Sequence, residues 1–455
     1  MAQPAFDTPD ADGITRKLAE HSVGMRFDAL PQDVVSIARC CVIDWLGVTL
    51  AGSREELSAI LQAEAREEGG SEQASVIGGG FRTSPVQAAL LNGSASHALD
   101  FDDVNLLMVG HPTVPVVPAI LALAERDGGD GEAFLAAFVA GVEAEVRISM
   151  LMGDTHYLKG WHTTGTVGTF GAAAAAAHML GLDTDSCVTA FGIAATKAAG
   201  LKGNFGTMCK PLHAGEAAAN GLHAALLAKR GFTSNPEILE CVQGFGDTQS
   251  ESFQPDKALD GLGSSFLTRS ILFKYHAACY GTHASIDAAS LLREKHNLTP
   301  ERIEKIEVRV PESYQKMCNI QNPQTDLEAK FSLRFTTAMA LAGESTGKIE
   351  NYSTEKCNDP TVVYLRDRTK VVPESEWNHA NSEVIVSTND GVVLRQMADA
   401  SIPEEDQDRQ WFRVTSKFHD LADDIIGRDR AEQVVEKVGR LETQPSLQPI
   451  ADLCR

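Results

Sequence analysis

Between His97 and His111 the chain reads His-Ala-Leu-Asp-Phe-Asp-Asp-Val-Asn-Leu-Leu-Met-Val-Gly-His, so acids and imidazoles crowd into one short stretch. Groups of this kind exchange protons near neutral pH, and general acid/base catalysis is the chemistry they suit. His97 and Ser96 precede Asp100 by helical spacings, which would set them on one face of a helix end. The plain alternative is a solvated acidic helix terminus, although acids at a C-terminus oppose the helix dipole.

Three later segments carry further polar groups. His162 precedes Thr-Thr-Gly-Thr-Val-Gly and an alanine-rich run, a helix start whose backbone N–H groups could hold a carboxylate or phosphate. Close helix packing is the plainer use of those glycines. Neither a Walker loop nor a dinucleotide fingerprint is present. Lys197, Lys202 and Lys210 could gather positive charge in an acidic chain, and Lys210, just before Pro211, is the best placed. Phe273 to His283 then brings Lys274, His276 and Cys279 together ahead of a helix.

The elements around these groups read as mostly helical. Two amphipathic stretches fill residues 13–51, the second opening at Pro31, and a third helix spans 55–68 before a short strand-like piece at 74–77. Ser84-Pro85 supplies an N-cap and first-turn proline for a helix of small residues. Pro112, Pro115 and Pro118 are expected to hold the chain extended until Ala119, leaving His111 on a connector. Further helices are expected over 132–152 and 214–229. From about 271 to 400 the pattern changes: Ile303, Ile306, Val308 and Val310 alternate as a strand, and Asn389-Asp390-Gly391 sits between two strand-like runs as a hairpin turn. Helices are expected at 331–341 and 360–371, and again at 412–426 and 430–441. The fold class is therefore mainly α, with domains at 1–270, 271–404 and 405–455, the middle one a mixed α and β insertion.

Of 455 residues 43% are hydrophobic and 22% charged, a globular composition, and the formal net charge of -22 argues against nucleic acid or an anionic membrane as partner. A small anionic substrate remains compatible if basic residues cluster. The N-terminus shows no basic region followed by an apolar core, and Phe170 to Leu182 is too short to span a bilayer, so a cytoplasmic location is expected. Nine cysteines without C-x-x-C spacing suggest reduced thiols and no zinc site.

The string His97-Ala-Leu-Asp-Phe-Asp-Asp103 followed by Gly110-His-Pro-Thr113 resembles the MmgE/PrpD family. Trp161 to Gly168, Lys210 to Gly215 and Lys274 to His283 agree with it in order, so the resemblance covers most of the chain. It implies a large all-helical domain with an inserted α+β lid domain, a homodimer, a pocket for small polycarboxylates, and no required metal or organic cofactor. It also implies site roles for Asp100, His111, His162, Lys210 and Lys274. Three positions depart from the decarboxylases of the family: Val104 replaces a threonine, Cys279 a histidine and Phe335 a tyrosine. With His276, these three are the expected substrate-binding positions.

Together the residues suit proton abstraction beside a carboxylate. Lys210 and Lys274 would hold substrate carboxylates, His162 or Asp100 would take the proton, and His111 would protonate a departing hydroxyl, as in a dehydratase. The rivals are an epimerase using Cys279, a decarboxylase of the cis-aconitate type, and a non-catalytic binding protein on the same fold.

Overall fold

The structure is a computed structural model that describes residues 13–377 and 380–455. These residues form two compact units, one made of 13–271 and 405–455 and the other of 272–377 and 380–404. The fold is mainly helical with small sheets.

The first unit opens with α1 (Ile14–Val23), α2 (Gln32–Gly52) and α3 (Glu56–Glu68). Pro31 is the N-cap of α2 and not a first-turn residue. A hairpin of β1 (Ala74–Val76) and β2 (Phe81–Thr83) follows, so this unit is not wholly helical. Next come α4 (Pro85–His97), α5 (Thr113–Asp127), α6 (Gly131–Lys159), α7 (Thr163–Met179), α8 (Thr184–Lys197) and α9 (Cys209–Lys229). Ser84 accepts from the Gln87 N–H at the start of α4, as an N-cap serine should.

α7 runs through the centre, buried from Thr163 to Ala177. Its small side chains allow α6 and α9 to close on it. The same device joins α4 to α9: a Cβ at Gly93 would stand 2.8 Å from the Gly215 Cα, which only glycine permits. α2 is apolar and long enough to cross a membrane, yet 83% of its most apolar window is buried in protein.

The expected extended connector at 112–118 is instead the start of α5. Pro112 is the N-cap and Pro115 lies in the first turn, where N–H groups have no intrahelical partner to lose. Pro118 alone removes a ladder bond. His111 thus sits immediately before a helix.

In the second unit α10 (His283–His296) leads to β3 (Ile303–Pro311), α11 (Leu333–Ala342), α12 (Pro360–Asp367), β4 (Thr369–Glu374), β5 (Asn381–Thr388) and β6 (Val393–Asp399). The sheet order is β4-β3-β5-β6, with β4 parallel to β3 and the other pairs antiparallel. Ile303, Ile306, Val308 and Val310 turn inward on β3. Gly391, at φ 84°, closes the β5–β6 hairpin in the conformation that Asn-Asp-Gly favours. The helix expected over 360–371 stops at Asp367, because the β-branched Val371 and Val372 pair in register with Val308 and Arg309.

After this unit α13 (Gln407–Ile426) and α14 (Arg428–Gly439) rejoin the first one, α13 lying on α2.

Candidate active site

α4 ends at His97, and the chain leaves the helix at once. Asp100 adopts φ 50°, a left-handed conformation uncommon for a residue with a side chain. The expected shared helical face of Ser96, His97 and Asp100 is therefore absent: Asp100 lies past the helix, and Asp102 is the carboxylate that returns to His97.

Each residue of Asp-Phe-Asp-Asp then does something different. Asp100 is half exposed and pairs with the Lys210 ammonium at 3.0 Å, with His111 Nε2 at 3.6 Å. Phe101 buries its ring. Asp102 is fully buried between two imidazoles, 3.0 Å from His97 Nδ1 and 2.8 Å from His111 Nδ1. Asp103 faces the opposite way and binds the Thr113 hydroxyl and N–H at the start of α5.

His111 is held from behind by α7. Its N–H donates to Thr164 Oγ1 at 3.1 Å, and the Thr163 hydroxyl donates to the Val109 carbonyl at 2.5 Å. An Asn105–Gly110 bridge closes the intervening loop, whose Met108 carbonyl accepts from Ser149. The hydroxyls of the Thr163-Thr164 pair are thus used to fix this loop.

His162 caps α7. Its ring stacks 5.8 Å from His97, meets Phe205 edge-on at 4.9 Å, and brings Nδ1 to 3.1 Å from His213 Nδ1. Lys210 lies in the first turn of α9, with its ammonium 5.4 Å from the Phe205 ring centre. A cation there adds to the positive end of the helix dipole, and the Asp100 carboxylate is the anion that offsets it. Lys197 and Lys202 are engaged elsewhere, the first with Asn220 and His223, the second over the Tyr157 ring.

Burial governs the electrostatics. It lowers His162 far below the ordinary imidazole range, aided by its histidine neighbours and Lys210. Burial also lowers His97 to about 4, against the pull of Asp102. For Asp102 burial acts upward, but His111 and His97 overcome it and hold the carboxyl well below its usual range. Asp103 is raised to about 7 by burial and by Asp44 and Asp102, although Thr113 opposes the shift. Behind it Glu145 is buried and raised well above a normal carboxyl. Burial thus keeps His97 and His162 neutral beside the ionised Asp102, and His111 has a carboxylate near each ring nitrogen. The two carboxylates orient the ring from both sides, which suits His111 to general acid/base work.

His97, Asp100, Asp102 and His111 have ligand atoms within 4.8 Å of one another and could enclose a metal ion. The Lys210 ammonium already stands against Asp100.

Residues 16–258 match the MmgE/PrpD N-terminal domain and residues 276–441 the C-terminal domain. The chain belongs to the MmgE/PrpD family. Relatives include the cis-aconitate decarboxylases of Mus musculus, 28% identical over 94% of this chain and 91% of that protein, and of Homo sapiens, 29% identical over 94% and 92%. A more distant one is the mitochondrial 2-methylcitrate dehydratase of Yarrowia lipolytica, 23% identical over 86% of this chain and 79% of the relative.

Of the five residues singled out for catalysis, Asp100, His111, His162 and Lys210 come together in the first unit. Lys274 lies buried in the second. There His276 contacts Thr346 at 2.7 Å and Asp287 at 3.3 Å, the Cys279 thiol hydrogen-bonds with Cys318, and Phe335 is wholly buried near Tyr352. Val104, in the first unit, is also buried. Sequence reasoning did not single out Asp102 or His213 for this candidate site, and named His97 only as a neighbour of Asp100 on a helix face. Asp102 was visible within the acidic run, but nothing in its spacing distinguished it from Asp103.

Proposed function

We propose that this chain is a lyase acting on a small polycarboxylate without an organic cofactor, and that it dehydrates or hydrates a hydroxy acid of the 2-methylcitrate kind. The observation that carries this reading is His111, seated on Asp102 with its outer nitrogen toward the Asp100–Lys210 pair. In the proposed reaction Lys210 holds a substrate carboxylate and stabilises the charge that builds when the neighbouring C–H proton leaves. Lys274 is kept in this reading as a second carboxylate-holding cation. His162, neutral through burial, or Asp100 takes the proton, and His111 gives one to the departing hydroxyl.

A second reading, decarboxylation of a cis-aconitate-like acid, is favoured by the two decarboxylases that align over 94% of the chain. Val104, Cys279 and Phe335 weigh against it.

Incubation with hydroxytricarboxylates, cis-aconitate and amino- or imino-dicarboxylates in deuterated water separates these chemistries. Alkene absorbance with loss of hydroxyl supports dehydration, carbon dioxide release supports decarboxylation, and exchange with inversion supports an epimerase. If no acid turns over or exchanges, and His111→Ala binds each as the parent does, the catalytic reading fails.

A further inference from the structure

Lys417 lies on α13, 316 residues from Phe101, and is 4% exposed. Its ammonium donates to the Phe101 carbonyl at 2.6 Å, stands 2.6 Å from Asp44 on α2, and lies 3.9 Å from the Phe101 ring centre. α13 comes this close because α2 carries Gly47, where a Cβ would press on Phe418 at 3.2 Å. A buried ion pair is a poor stabilising device, since the desolvation of two charges offsets most of their attraction. The third contact is the informative one. The Phe101 carbonyl belongs to the peptide that joins Phe101 to Asp102, directly after the left-handed Asp100.

We propose that Lys417 is a positioning residue for the acid/base site: it fixes the plane of the Phe101–Asp102 peptide, and through it the direction of both the Asp100 and the Asp102 carboxylates. Asp44 balances the buried charge of the lysine, while the bond to the Phe101 carbonyl itself sets where the ammonium sits. A buried carbonyl left without a donor would turn to find another partner. That rotation would carry Asp102 off His97 and His111, and Asp100 off Lys210. The C-terminal return of the chain thereby sets the geometry of a loop near residue 100.

This rests on the functional reading above only for the importance of the site; the geometry can be tested without a substrate. The full-length protein, labelled with 13C at histidine Cε1, reports the His111 ring through the resonance that disappears in His111→Asn. Asp44→Asn keeps the lysine on the carbonyl, so the His111 resonance should stay in place even if the melting temperature falls. Asp44→Asn/Lys417→Met leaves no unpaired buried charge, so its melting temperature should recover relative to Lys417→Met alone. In that double variant the His111 resonance should move, and turnover of whichever acid the parent processes should drop about 100-fold in kcat with KM nearly unchanged. A double variant with the parent's resonance overturns the proposal, as does loss of the resonance in Asp44→Asn alone. A parent inactive on every acid tested would sink the lyase reading and leave the resonance result to decide this one.

Discussion

The loop from Asp100 to His111 in the helical unit and the stretch from Lys274 to His283 in the α/β unit both hold histidines and charges, but they use them differently. In the loop, side chains from α5, α7, α9 and α13 each hold one piece of backbone or one carboxylate, and Asp100 is left half exposed. In the second stretch His276 is tied to Thr346 and Asp287, and His283 is wholly buried on the Ala278 carbonyl. Two of the three positions that depart from the decarboxylases, Cys279 and Phe335, lie in that unit. Under the proposed function this becomes a division of labour, with proton transfer assigned to the helical unit and the departures at Cys279 and Phe335, in the other unit, assigned to the choice of acid.

The hardest test of that division is on the loop. His111→Asn should lower kcat about 1,000-fold, and Asp102→Asn should lower it about 100-fold or more by freeing the ring, in assays with the acid that proves to be the substrate. Equal activity in Asp102→Asn would remove the loop from catalysis. Lys210→Met comes next: a loss of about 100-fold in kcat/KM is expected, and a purely raised KM would mean that the lysine binds substrate without acting in the transition state.

A smaller effect is expected at the three departing positions, two of which lie in the α/β unit. Cys279→His/Phe335→Tyr, with Val104→Thr added, should raise carbon dioxide release from cis-aconitate about 10-fold while the dependence on His111 persists. No change in the relative rates on different acids would place specificity elsewhere.

The smallest effect is on stability. His156 donates or accepts at both nitrogens, with Gln249 and Thr166, and burial lowers it to about 4. A depressed histidine contributes stability that is present above its unfolded value near 6.5 and is lost as pH falls toward 4. Urea unfolding should therefore show a midpoint that declines over this window. His156→Gln should flatten the decline by about 2 kcal/mol, and an unaltered slope would show that His156 is not one of the groups responsible.

Local rules were readable wherever one residue type decides one local geometry. Ser84-Pro85 started α4, Asn389-Asp390-Gly391 turned the hairpin, and alternation marked β3. They failed where neighbours supply the missing partner. Prolines near Pro112 looked like helix breakers, but a first turn has no bond for them to break. Val371 closed an expected helix until β3 offered it, with Val372, a strand to pair with.

The sequence alone determined which groups could do chemistry here, because acids, imidazoles and lysines in ordered motifs are visible one residue at a time. Only the tertiary structure decided which of them act together. Asp102 chose His97 and His111 through a turn no spacing rule describes, and Thr164 reached His111 across 53 residues. Lys417 met Phe101 across 316. Contacts at such separations depend on how whole helices pack, since a buried polar group must be satisfied by whatever the fold brings beside it.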